Sequence, residues 1–303
     1  MAITAQDVKA LREMTGVGMM DCKKALAASD GDMDKAVEWL REKGLAASAK
    51  KAGRIAAEGM AYAGVIDGVG VVVEVNAETD FVGKNEKFVD FVKGVAATVA
   101  ACAPADLDAL MECRYNGTDL TVTQQQQEMV LVIGENIKVR RFARFADGVS
   151  VPYIHAGGKI GVLVNLEVTG GIDATEIGKD MAMQIAALNP RFLDKSQVTQ
   201  EVLDEEKKIL LAQMDNDPKM ASKPAQVKEK IVAGKLNKFY AENCLLQQTF
   251  VKDNEVTVEQ YMNAAAKKLG GTIALKNAVR FEKGEGIEKK QENFAEEIAK
   301  LAK

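Results

Sequence analysis

His155 is the only histidine in the chain, and the four cysteines, Cys22, Cys102, Cys113 and Cys244, form no C-x-x-C pair. A metal site built on two histidines is therefore excluded. Any Ser-His or Cys-His dyad would have to run through His155. Beside His155 lies Gly157-Gly158-Lys159-Ile160-Gly161, which could be read as an anion-binding turn next to a base. It reads better as a hairpin turn, because no nucleophile or acid stands at a recognisable spacing from the ring. Neither G-x-x-x-x-G-K-[ST] nor G-x-G-x-x-G is present, so the usual phosphate cradles are missing. Asn116-Gly117-Thr118 matches a glycosylation sequon, a pattern short enough to arise by chance. These residue types predict a protein that binds rather than one that catalyses, with no cofactor and no metal.

Composition supports that reading. The 303 residues are 47% apolar, 28% charged and 5% aromatic, with a net charge of -4. That suits a helix-rich soluble protein of two or three domains. An acidic balance argues against direct nucleic-acid binding, which favours a basic excess. No uncharged run approaches the roughly 18 residues of a membrane span. The start, MAITAQDVKA, has neither a secretory pattern nor the look of a transit peptide. Scattered thiols fit a reducing compartment, and a cytoplasmic location is expected.

The elements that must position any site follow from hydrophobic period. Residues 1–45 read as three short helices. Thr4 and Asp7 form a capping-box start, and Val8, Leu11 and Met14 share one face. Cys22, Ala25, Leu26 and Ser29 recur at helical spacing, and Asp32 can cap a third helix with Met33, Ala36, Val37 and Leu40 inward. Gly44 is expected to end it. Between the first two helices stand Met19 and Met20, either closing the small core or forming an adaptable apolar surface. Residues 46–57 read as a helical linker with mobility.

A hairpin is expected over 59–66 and 69–76 around Asp67-Gly68, with Val71, Val73 and Val75 alternating, followed by a helix carrying Phe88, Phe91, Val92, Val95 and Val99. A Gln-rich helix near 123–133 leads onward. Strands over 137–145, 149–156 and 160–168 read as a meander, followed by a helix with Ile177, Met181, Ile185 and Leu188. Gly70-Val-Val-Val-Glu-Val lines up with Gly161-Val-Leu-Val-Asn-Leu, a weak internal repeat of sheet plus helix. Residues 196–240 read as a charged helical hairpin turned at Asp217-Pro218 and Lys223-Pro224. A helix over 257–269, a strand over 272–282 and a last helix over 291–302 complete the chain. The class is α+β. Its units are a three-helix module (1–45), a linker (46–57), a first core subdomain (58–136), a second (137–190 with 241–284), an inserted hairpin (191–240) and a C-terminal helical module (285–303).

The most informative segment is Thr79-Asp80-Phe81-Val82-Gly83-Lys84-Asn85. It joins a strand to a helix, a place where a residue can be presented at a surface tip. The second unit has Thr169-Gly170-Gly171-Ile172-Asp173 at the equivalent junction, so the architecture itself does not require Asp-Phe there. Periodicity leaves a competing possibility, that Phe81 staples onto its own helix.

TGVGMMDCKKAL (15–26), EVNAETDFVGKNEKF (74–88), IGENIKVRR (133–141) and RFEKGEGIEK (280–289) occur in this order. Together they resemble the elongation factor Ts family, the guanine-nucleotide exchange factors of elongation factor Tu, over nearly the whole chain. The resemblance implies that 1–45 is a ubiquitin-associated-like module touching the GTPase's nucleotide domain through Met19, Met20 and Lys23. It implies that Thr79, Asp80, Phe81 and Val82 form an intruding tip that dislocates the partner's Mg²⁺, Phe81 entering between helices with Asp80 beside it. His155 and Val251 would add contacts, the terminal helix would reach back to the GTPase, and 191–240 would serve self-association. The partner would be elongation factor Tu, GDP-bound and nucleotide-free. Lys252 stands where the family pattern has methionine, so no contact is carried over to it. Ala156 stands where glycine is common. The alternative function is a passive protein-binding adaptor working through the three-helix module.

Overall fold

The computed structural model describes residues 3–288. The expected terminal helix over 291–302, and nearly all of the 285–303 module, lie outside the described residues. Helix α1 (Ala5–Thr15) starts on a reciprocal cap: the Asp7 amide donates to Thr4 Oγ1 at 3.2 Å and the Thr4 amide donates to Asp7 Oδ2 at 2.9 Å. It stops at Gly16, whose φ of 69° suits glycine. Helix α2 (Met19–Ala28) and helix α3 (Met33–Lys51) close a small core of Val8, Leu11, Val17, Cys22, Leu26 and Leu40. Met14, expected on the inward face of α1, is exposed. Gly44 does not end the third helix. It sits inside α3 and is buried, because helix α6 (Val122–Ile133) crosses there; a Cβ would stand 3.2 Å from the Gln127 carbonyl oxygen. Close approach, rather than helix termination, is what this glycine serves. The expected linker is thus helical as far as Lys51. Leu131 and Val132 of α6 pack into the module's core and dock it on the body.

The body is two antiparallel three-stranded sheets packed face to face, with a helix over each outer face. The first has the order β1 (Glu58–Ile66), β2 (Val69–Ala77), β3 (Lys138–Phe145); the second has β4 (Val149–His155), β5 (Ile160–Thr169), β8 (Thr272–Glu282). The β1–β2 turn places Asp67 and Gly68 at φ 49° and 81°, the primed-turn geometry that Asp-Gly favours. Helix α4 (Glu86–Cys102) lays Phe88, Phe91, Val92 and Val95 on Val71, Val73 and Val75. Helix α7 (Thr175–Leu188) lays Ile177, Met181 and Ile185 on Val162, Val164 and Leu166. Between the sheets run Ala61, Ala63, Val72, Leu163 and Phe281.

Two sequence expectations change. The alternation expected in β2 is absent, since Val71 through Ala77 are all buried: the helix covers one face and the other sheet covers the opposite one. The expected meander is also broken. β3 pairs with β2, not with β4, so the chain crosses between sheets at the Asp147-Gly148 turn. The internal repeat is real in three dimensions. Its two copies are the central strands β2 and β5, and both slip register at the same aligned step, between Glu74 and Val75 and between Asn165 and Leu166.

Helix α5 (Leu107–Glu112) lies between α4 and α6. The inserted hairpin is α8 (Gln200–Asn216), a single turn α9 (Pro218–Ala221) and α10 (Ala225–Asn243). The short pair β6 (Thr249–Phe250) and β7 (Asp253–Thr257) and helix α11 (Val258–Leu269) lead into β8. No helix among the described residues is long and apolar enough to cross a membrane.

Two local features generate tests. Glu74 is fully buried where the β2–β3 ladder slips register. It accepts from Arg140 at 2.9 Å, Arg141 at 2.5 Å, Asn76 at 3.0 Å and the Gly284 amide at 2.8 Å. Burial alone would raise its carboxyl; these donors overcome it and hold it below the usual range. A depressed carboxylate stabilises above the unfolded glutamate value of about 4.3 and loses that contribution as pH falls through the folded value. Glu74→Gln should therefore cost about 2 kcal/mol near neutral pH. Urea unfolding at pH 7 and pH 3 should show a smaller acid loss in the variant than in the parent chain. At the β4–β5 turn, Ala156 adopts φ 47°, a left-handed conformation that disfavours a Cβ. Ala156→Gly should stabilise by about 0.5–1 kcal/mol, read as a rise in thermal midpoint.

Candidate functional site

Past Ala77 the chain leaves β2 and turns outward. Phe81 is 79% exposed, whereas its neighbour Val82 is only 6% exposed and joins the core beneath α4. The ring therefore does not staple onto its own helix; Val82 is the residue that anchors this end. A short 3-10 turn, Val82–Lys84, follows, and Asn85 caps α4 by accepting from the Lys87 amide at 3.0 Å. Gly83 is pressed against β1, with the Gly59 carbonyl oxygen 2.8 Å from where a Cβ would stand. Thr79 and Asp80 are exposed.

The braces were not assigned a role from sequence. Glu135, just past the Gly134 cap of α6, accepts from the amides of Glu78 and Thr79 at 3.0 Å each and from Thr79 Oγ1 at 2.7 Å. Asn136 donates its amide to Glu78 Oε1 at 2.6 Å and its side-chain nitrogen to the Arg54 carbonyl at 2.8 Å. Both residues stand in IGENIKVRR, so the motif marked them while their chain distance from Thr79 hid their purpose.

His155 ends β4 and is exposed. Its Nδ1 lies 3.1 Å from the Tyr153 hydroxyl, a phenol and not the carboxylate that would orient a base. Gly158 has φ 94°, and a Cβ there would stand 2.6 Å from Met60 Cγ. The tip through Gly83 and the His155 turn through Gly158 therefore both lean on the start of β1, at Gly59 and Met60. This brings Phe81 and His155 to one end of the sandwich.

The three-helix module adds a second edge. Met19 and Met20 are 56% and 67% exposed on the first turn of α2, with Lys23 exposed one turn further. Val17, not either methionine, closes the module's core. The turn before α2 touches α4, since Lys87 Nζ donates to the Gly16 carbonyl at 3.2 Å. Gly16, Phe81, Lys87 and Val132 line a shared recess of about 480 Å³. The cap of α1, just ahead of the methionine turn, and the Phe81 tip thus flank one depression.

Val251 sits elsewhere, at the turn between β6 and β7 beside α7, half-exposed. Its amide donates at 2.8 Å to Gln184 Oε1, and buried Gln184 also bonds Gln248 at 3.1 Å and the Thr249 carbonyl at 3.0 Å. Lys252 pairs with Asp180 at 2.6 Å, and Asp180 also accepts from the Tyr261 hydroxyl at 2.5 Å. Burial and that carboxylate hold the Tyr261 phenol far above its ordinary range. The lysine that departs from the expected pattern is thus used within the chain.

The sequence profile described as elongation factor TS matches residues 78–285. Elongation factor Ts of Syntrophotalea carbinolica is 47% identical, covering 100% of both chains. That of Clostridium kluyveri is 48% identical over 98% of each. That of Trichlorobacter lovleyi is 49% identical over 100% of this chain and 99% of its own. With more than half the chain matched by the profile and full-length identity near one half, the chain belongs to the elongation factor Ts family, the nucleotide exchange factors of translation elongation.

Proposed function

We propose that this chain promotes GDP release from elongation factor Tu by inserting Phe81 between helices of the GTPase and so disturbing its Mg²⁺ and phosphate contacts. The observation carrying this is the pairing of a 79% exposed Phe81 with a buried Val82: one residue grips the core while its neighbour is held out. Such GTPases hold GDP through Mg²⁺ and a phosphate-cradling loop. Displacing the helices beside that loop weakens nucleotide binding, and no chemistry by this chain is needed. Factor and nucleotide then each weaken the other's binding by the same factor. Burying the ring is worth roughly 1.5–3 kcal/mol, and about 1.4 kcal/mol is tenfold, so Phe81 supplies about one to two decades of acceleration.

Of the four tip residues, Asp80 and Phe81 face outward, whereas Val82 is buried and Thr79 is bonded to Glu135. Met19, Met20 and Lys23 would grip the nucleotide domain from the exposed first turns of α2, with His155 adding a contact from the turn beside the Phe81 tip. Val251 would engage the partner from its separate turn. The factor would act on both the GDP-bound and the nucleotide-free GTPase, in the cytoplasm. The 191–240 hairpin, with Ile209, Leu211 and Val227 exposed, would serve self-association. The exposed methionine turn also supports the simpler adaptor reading, in which the module binds without driving exchange.

Stopped-flow release of a fluorescent GDP from elongation factor Tu separates these readings. Phe81→Ala should slow stimulated release by at least tenfold while leaving the thermal midpoint unchanged, because the ring contributes little to the core. A variant that melts early, or one that releases GDP as fast as the parent, contradicts the proposal. Met19→Ala/Met20→Ala should instead raise the concentration needed for half-maximal release severalfold, with a smaller change in the maximal rate. An unchanged half-maximal concentration would remove the methionine turn from the interface.

A further inference from the structure

The polar group most heavily bonded to the tip is the Glu135 carboxylate, which comes from the connection between α6 and β3. It takes two successive backbone amides, Glu78 and Thr79, on Oε2 at 3.0 Å each and the Thr79 hydroxyl on Oε1 at 2.7 Å. In return the Glu78 carboxylate accepts the Asn136 amide at 2.6 Å and faces Arg54 at 3.4 Å. The 78–79 and 135–136 segments therefore clasp each other in both directions through charge-assisted bonds. On the other side Val82 is buried and Gly83 rests on β1. Only Asp80 and Phe81 lie between the two anchors.

The geometry points to Glu135 as a positioning residue for nucleotide exchange, one that presets Phe81 for entry into a GTPase and draws Thr79 into the clasp as its donor. This rests on the insertion reading above. A two-residue bridge held at both ends has little conformational freedom left to lose when the ring enters a partner. A tip free on one side would lose it at the expense of binding. Thr79 then serves exchange from inside the chain: its hydroxyl and amide are both committed to Glu135.

Two readouts on the full chain test this. The first is amide hydrogen exchange in the free protein. Glu135→Ala should speed exchange at Glu78 and Thr79 by at least tenfold, with the thermal midpoint showing that the fold persists. The second is a double-mutant cycle on stimulated GDP release. Glu135→Ala should slow release roughly tenfold in the otherwise unchanged chain and less than twofold in a Phe81→Ala background. Thr79→Val, which keeps shape and loses the hydroxyl, should show part of the same loss, and Thr79→Ser should recover most of it; this pair carries the test if Glu135→Ala does not fold. Equal slowing in both backgrounds, or amides protected as before, overturns the positioning role while leaving insertion intact. If Phe81→Ala alone does not slow release, the insertion reading falls and the positioning role with it, even where the amide data show the clasp.

Discussion

Two sheets pressed face to face through small side chains set the terms for this molecule. A Cβ at Gly161 would lie 3.1 Å from the Ala61 backbone, and one at Gly70 would lie 2.3 Å from Ser150 Oγ. Each central strand can approach an outer strand of the opposite sheet this closely only because those positions carry no side chain. With α4 and α7 closing the outer faces, β2 and β5 are sealed on both sides. Among the described residues, the central strands therefore offer a partner no open face, and strand ends, turns and the helices remain accessible. Phe81, His155 and Val251 all lie at such places, and Met19 and Met20 lie on the module.

The same packing explains the two buried polar residues at the repeat's aligned bulges. Glu74 and Asn165 stand at corresponding steps of the two central strands, where the partner strand carries one extra residue, and each is bonded to distant chain. Glu74 takes the Gly284 amide at 2.8 Å and two arginines of β3; Asn165 donates to the Asp147 carbonyl at 2.6 Å. A charge at the first bulge therefore fastens the end of β8 to the first sheet. An amide at the second fastens the crossover between sheets. Repeated architecture has been put to two different connective uses.

Much of this was legible in the sequence because it depends on local signals. The Asp67-Gly68 turn, the caps at Thr4 and Asp32, and the Phe88 and Ile177 helix faces follow from residue type and period alone. What failed depended on distant chain. Gly44 resembles a helix stop until α6 is known to cross it. β3 reads as the first strand of a meander until its pairing with β2 is seen. β2 reads as half-buried until a second sheet covers it. At the site, exposure decided what periodicity could not: Phe81 as staple or tip, and Met19 and Met20 as core or surface. Glu135 lies 56 residues from Thr79, so no spacing rule could have joined them.

Exchange by this route requires that the factor and GDP disfavour each other on the same GTPase. Titration calorimetry of this protein into nucleotide-free and into GDP-bound elongation factor Tu, at matched salt and Mg²⁺, measures that coupling without reference to any rate. The account predicts markedly tighter binding to the nucleotide-free form, by the same factor by which the protein weakens GDP affinity. Equal affinity for the two forms would contradict it, and would leave a protein that grips the GTPase without acting on its nucleotide.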